Sequence, residues 1–132
     1  MAALAMTTGA IICTPITASA SAHGCVDNAV RPSSCIDIDG GGTYVNSVVG
    51  SVYLDGGSSV FGRFHIYGGG LEFKTNDAHY YNGGHFGADI EPGPYYFVGR
   101  DLPNRAKVCS SFEEKQGAGY KTYSPACKTI KS

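Results

Sequence analysis

The chain has no tryptophan, no Cys-x-x-Cys pair, no Gly-x-Ser-x-Gly and, beyond its first residues, no ten-residue stretch with a helical apolar period. Each absence removes a class of protein. Without Cys-x-x-Cys, and with no His at ligand spacing from the cysteines, a zinc site has no ligand set, and no metal or other cofactor is expected. Without the Gly-x-Ser-x-Gly turn there is no serine nucleophile elbow, since Ser33, Ser58 and Ser110 read as loop residues or sit beside cysteine. Without a helix, no glycine-rich phosphate loop can open onto one. Charge is sparse, at 16% of residues. Residues 23–99 carry three basic and eight acidic side chains, and residues 100–132 carry seven and three, so the halves are near −5 and +4. Opposite halves attract within one small fold, and seven scattered cations make no dense basic patch, so nucleic acid is not an expected partner.

What is present begins with an apolar run from Ala2 to Pro15, followed by the small residues Ala18-Ser19-Ala20-Ser21-Ala22. Residues 1–22 read as a secretory signal peptide, although no Lys or Arg precedes the run, and residues 23–132 as a single secreted, extracellular domain. The run is too short for a membrane span. Cys13 departs with the signal and leaves Cys25, Cys35, Cys109 and Cys127. An even count in a small secreted domain implies a disulfide framework. Three connectivities are open, and Cys25–Cys35 with Cys109–Cys127 is the favoured one. A hairpin centred on Gly117-Ala118-Gly119 sets Cys109 opposite Cys127.

Glycine is abundant, at 19 residues, and spaces short apolar runs. From Val48 to Asn76, three such runs are separated by Asp55-Gly56-Gly57-Ser58 and by Gly68-Gly69-Gly70, which predicts a three-stranded antiparallel meander. In its second strand Val60, Gly62, Phe64 and Ile66 share one face; Phe61, Arg63, His65 and Tyr67 share the other. A five-residue loop would set Gly50 against Phe64. A two-residue turn at Gly68-Gly69 would set Ile66 against Leu71 and His65 directly against Glu72, with Arg63 beside Lys74.

Residues 23–43 read as an irregular lead-in, with Asp37-Ile38-Asp39-Gly40-Gly41-Gly42 as a glycine turn that lacks the ligands of a calcium loop. His79-Tyr80-Tyr81 and His85-Phe86 flank a predicted turn, and Glu91-Pro92-Gly93-Pro94 predicts a sharp break and a stiff loop suited to protease inhibition. Pro125 belongs at an edge or bulge. The sum is an all-β, antiparallel Greek-key or immunoglobulin-like sandwich with two disulfides, expected as a monomer.

Val60-Phe61-Gly62-Arg63-Phe64-His65-Ile66-Tyr67-Gly68, Asp101-Leu102-Pro103-Asn104-Arg105 before Val108-Cys109, and Pro125-Ala126-Cys127-Lys128-Thr129-Ile130 resemble a group of small secreted proteins of filamentous actinobacteria. The resemblance implies compartment and fold type and brings no activity with it.

Two surfaces invite chemistry. Arg63, His65 and Glu72 could supply an acid, a base and a cation for a small hydrolase acting on RNA. Tyr80, Tyr81, Tyr95 and Tyr96 occur as doublets, each of which turns one ring outward on a strand, a pattern suited to binding an extracellular protein or polysaccharide. His79, His85, Asp77 and Asp89 form a looser group without rigid metal-ligand spacing. The favoured function is a secreted non-enzymatic binding or inhibitory module, with the hydrolase as the alternative.

Overall fold

The computed structural model describes residues 22–26, 31–81 and 88–132. Nearly all of the expected signal peptide, and the expected turn at Asn82-Gly83-Gly84 with His85, lie outside them. The described residues form ten strands and no helix. β1 (Ala22–Cys25), β2 (Ser33–Gly41), β3 (Tyr44–Asp55) and β7 (Ala88–Asp101) make a four-stranded sheet in the order β1-β2-β3-β7. The centre of a six-stranded sheet is β4 (Ser59–Gly68) paired with β8 (Lys107–Gln116). β5 (Leu71–Lys74) and β6 (Ala78–Tyr81) share the free side of β4. β9 (Gly119–Thr122) and β10 (Ala126–Thr129) share that of β8. All pairings are antiparallel.

The two-residue period holds along β4, where Val60, Gly62, Phe64 and Ile66 are buried and the residues between them face outward. Two adjoining clusters fill the core. One joins Ile36, Val45 and Val48 to Ile66, Leu71, Val108 and Ile130. The other joins Val52 and Leu54 to Val60, Phe64, Tyr80 and Phe112. Each draws on both sheets, so the architecture is a sandwich, as expected. A buried clasp also ties the layers, the Phe112 N–H donating to Ser34 Oγ at 2.9 Å.

The expected three-stranded meander does not form. Ser58 N–H donates to Asp55 O at 3.0 Å and closes a turn, but the chain then passes to the other sheet. β3 pairs with β2 and β7 instead. A hairpin and an arch between sheets bring the same apolar faces to the same core, and alternation alone does not separate them. Gly50 does meet Phe64, but across the sandwich: a Cβ on Gly50 would lie 2.8 Å from Phe64 Cδ1.

The second turn is displaced by two residues in register. Gly68 pairs with Leu71, so Gly69-Gly70, at φ 64° and 88°, makes the turn. Every side chain keeps its expected face, but His65 lies opposite Lys74, and Glu72 lies opposite Tyr67. Arg63 faces Glu113 rather than Lys74.

Two segments expected to be irregular are strands. Residues 33–41 form β2, which turns through Gly42-Thr43 into β3. The stretch 91–94 lies inside β7, not in an exposed loop, which removes the footing for a protease-inhibiting loop. β7 is the outer strand of its sheet, where proline costs no ladder bond on the open side, and a bulge opposite Gly50 absorbs Gly93-Pro94. Pro125 behaves as expected. The ladder on β8 runs Gly119 to Gln116, then slips by one residue across Ser124-Pro125 to set Cys127 opposite Cys109. Both expected disulfides are formed, Cys25–Cys35 and Cys109–Cys127, each between directly paired residues.

Candidate functional site

On the outer face of the six-stranded sheet, β4 points Arg63, His65 and Tyr67 away from the core. His65 Nε2 lies 2.7 Å from Glu72 Oε2, so the imidazole and carboxylate meet diagonally despite the changed register. The hub of the face is Glu113 on β8, which the sequence did not suggest. It is 7% exposed, accepts from Arg63 Nε at 2.7 Å, and sits 3.9 Å from His65 Nδ1. The Arg63 guanidinium also covers the Tyr120 ring at 3.7 Å. Tyr120 in turn donates its hydroxyl to both Asp77 oxygens at 2.9 Å. Burial works against the Arg63 charge, but the hydrogen bond and charge of Glu113 outweigh it and raise the Arg63 pKa. Arg63 is therefore already committed to Glu113, and a substrate anion would have to compete for it.

At one end of the sandwich Tyr123 donates to Glu114 Oε1 at 2.7 Å. Burial, and then the bond to Glu114, push the Tyr123 phenol up to about 12. A raised folded pKa means the folded state holds this proton more tightly, so that stability is present below pH 10 and lost as pH climbs toward 12. Urea midpoints are expected to fall between pH 9 and 11, and Tyr123→Phe to flatten that fall. An unaltered slope in the variant would refute the assignment. Tyr80, raised by burial and by Glu91, contributes with the same sign and remains in the variant.

The outer face of the four-stranded sheet carries a groove of about 850 Å³. Tyr95 and Phe97 on β7, 76% and 73% exposed, form one wall. Asp37 and Asp39 project from β2, His23 from β1 and Asn46 from β3. His23 Nδ1 lies 3.1 Å from Asp37 Oδ1, and Asn46 Nδ2 donates to Asp39 Oδ2 at 3.1 Å. Val49 and Ile38 also line it.

Of the four tyrosines expected at a binding surface, only Tyr95 lines this groove. Tyr96 turns inward, half-buried, and stacks on Phe73 with centroids 4.5 Å apart. Tyr81 is 57% exposed but belongs to the other sheet. Tyr80 is buried edge-on against Phe64 at 5.1 Å, and its place is in the core. Phe97, His23, Asp37, Asp39 and Asn46 were not anticipated. The signal for them was the shared alternation of Asp37-x-Asp39 and Tyr95-x-Phe97, readable only once β2 and β7 are known to flank β3.

Among the described residues no three His, Cys, Asp or Glu side chains gather at metal-binding distance. The group of His79, Asp77, His85 and Asp89 lies partly outside those residues. No helix among them is long and apolar enough to cross a membrane.

Fold and surfaces define a small antiparallel β-sandwich, stapled by two disulfides, with a groove on one sheet and an ion-pair network on the other. No protein-family model, curated protein or solved structure matches the chain at a significant level.

Proposed function

We propose that this protein is a secreted, non-enzymatic binding module that lays a polysaccharide chain along the groove of its four-stranded sheet. The observation that carries this reading is the pair Tyr95 and Phe97, two large rings left 76% and 73% exposed on one face. Alternate positions on a strand stand about 6.8 Å apart. Two rings so spaced can stack against the apolar C–H faces of a sugar chain, while carboxylate, amide and imidazole groups take its hydroxyls. The disulfides suit an oxidising, extracellular setting. The partner is expected on the face and not along the edge, because Pro92, Pro94 and two bulges blunt the outer side of β7 against strand addition.

The test is affinity electrophoresis through gels containing soluble polysaccharides, followed by calorimetry on the best ligand. Tyr95→Ala and Phe97→Ala are each expected to weaken binding about tenfold, the loss typical of a truncated aromatic anchor. No retardation in any gel, or full retention by both variants, would defeat the reading; retention only on a protein matrix would favour a protein partner.

The 2.7 Å contact of His65 and Glu72 supports a second reading, a small hydrolase acting on RNA with Glu72 as base and His65 as acid. RNA cleavage lost by a hundredfold or more in Glu72→Gln and in His65→Ala would support it, and wild-type rates in both would eliminate it.

A further inference from the structure

We infer that the groove selects an amine-bearing sugar polymer, a chain of glucosamine units, over neutral or acidic polysaccharides. This rests on the polysaccharide reading above and adds the charge of the ligand.

The groove's charges are one-sided. Asp37 and Asp39 line it, and among the described residues neither Lys nor Arg does. Asp39 is bonded to the neutral amide of Asn46, which fixes the carboxylate without cancelling its charge. Among the described residues His23 is the ion-pair partner of Asp37, and both side chains are about half exposed, at 54% and 45%. On the other sheet Arg63 neutralises Glu113, and Lys115 stands 4.0 Å from Asp77. Among the described residues the groove carboxylates have no such permanent cation. An occupant that supplies positive charge gains where a sugar acid or a sulfated chain is repelled.

The aromatic wall points the same way. Ring faces attract cations, and Tyr95 and Phe97 are exposed in the same groove as the carboxylates. Elsewhere on this protein ring faces already hold cations, with Arg31 over Tyr53 at 4.1 Å and Arg63 over Tyr120 at 3.7 Å, so Tyr95 and Phe97 are rings of the same kind still open to one. Aromatic faces combined with carboxylates favour an ammonium group on a flat, partly apolar body. A glucosamine unit provides both, and its N-acetylated counterpart keeps the body but loses the charge. A basic peptide would gain most by pairing with a sheet edge, and the prolines and bulges of β7 withhold that edge.

Calorimetry with the oxidised protein at pH 6 and low ionic strength, where the ligand amines are charged, decides the matter. The probes are a glucosamine hexamer, an N-acetylglucosamine hexamer and hexalysine. The glucosamine hexamer is expected to bind at least tenfold more tightly than the acetylated one. That preference is expected to vanish in Asp37→Asn/Asp39→Asn and to shrink in 0.5 M salt, because these carboxylates are open to screening. The double variant should still bind the acetylated hexamer in a Tyr95-dependent way, which reports an intact fold. Equal or tighter binding of the acetylated hexamer, still weakened by Tyr95→Ala, would overturn the charge selection and leave the polysaccharide reading standing. Tighter binding of hexalysine would overturn it in favour of a basic peptide. Failure of both sugar hexamers to bind would overturn the amine selection, and the gels described above would then decide the polysaccharide reading.

Discussion

Phe64→Ala is expected to cost about 3–5 kcal/mol of stability, a large share of the 5–15 kcal/mol that holds a small domain together. Phe64 is 0% exposed. Its ring lies over two glycines from the facing sheet, so that a Cβ on Gly50 would come within 2.8 Å and one on Gly93 within 2.5 Å. Tyr80 and Phe112 close its sides at 5.1 and 5.2 Å. The surroundings cannot collapse into the space left by the ring. Phe64 N–H donates to Thr75 Oγ1 at 2.9 Å, and Phe64 O accepts from Thr75 N–H at 2.9 Å, which pins the backbone beneath the cavity. Urea denaturation should show a lower midpoint at unchanged m. A loss under about 1.5 kcal/mol would show that the core closes over the gap.

The second large effect is expected from Cys109→Ala/Cys127→Ala. The bridge spans 18 residues, for which loop closure alone gives about 3 kcal/mol. Local structure adds to it. β10 has four residues, and just beyond it Ile130 is buried. Ile130 O accepts from Arg105 N–H at 2.7 Å, and Ile130 N–H donates to Ala106 O at 2.8 Å. Without the bridge, this short strand and its buried end can leave the core together. A melting point lower by about 10–20 °C is expected for a domain of this size. Removal of Cys25–Cys35, which spans 10 residues, should cost about 0.5 kcal/mol less by the same entropy argument. A double variant that melts within a few degrees of wild type would show that β10 is held by packing alone.

Local period carried much of this fold into view. The faces of β4 and the sandwich class depend on alternation, which survives a register shift of two. The disulfides follow from an even cysteine count and, for Cys109–Cys127, from the hairpin between them, and the irregularity at Pro125 from its missing N–H. What was hidden depends on which strands become neighbours. Glu113 sits in Phe112-Glu113-Glu114-Lys115, which reads as a solvated face until β8 pairs with β4 and sets Glu113 against Arg63. Pro92 and Pro94 read as a break because edge position, which makes them tolerable, is not written locally. The Tyr95-Tyr96 doublet was legible as turning one ring outward, but which of the two was not. His23, Asp37 and Asp39 join it only because β1, β2, β3 and β7 line up in one sheet.

β3 pairs with β7, and β4 with β8, so that Val49 waits for Tyr95 and Phe64 waits for Phe112. Loop closure has to be met before these distant contacts give anything back, and chains of this topology fold in milliseconds to seconds. The six-stranded sheet cannot be completed while residues 107–116 are still inside a ribosome, although every strand of the four-stranded sheet has emerged by residue 101. The four-stranded sheet can therefore form first, with its inner face incompletely covered until the last strands arrive and the sandwich closes over it.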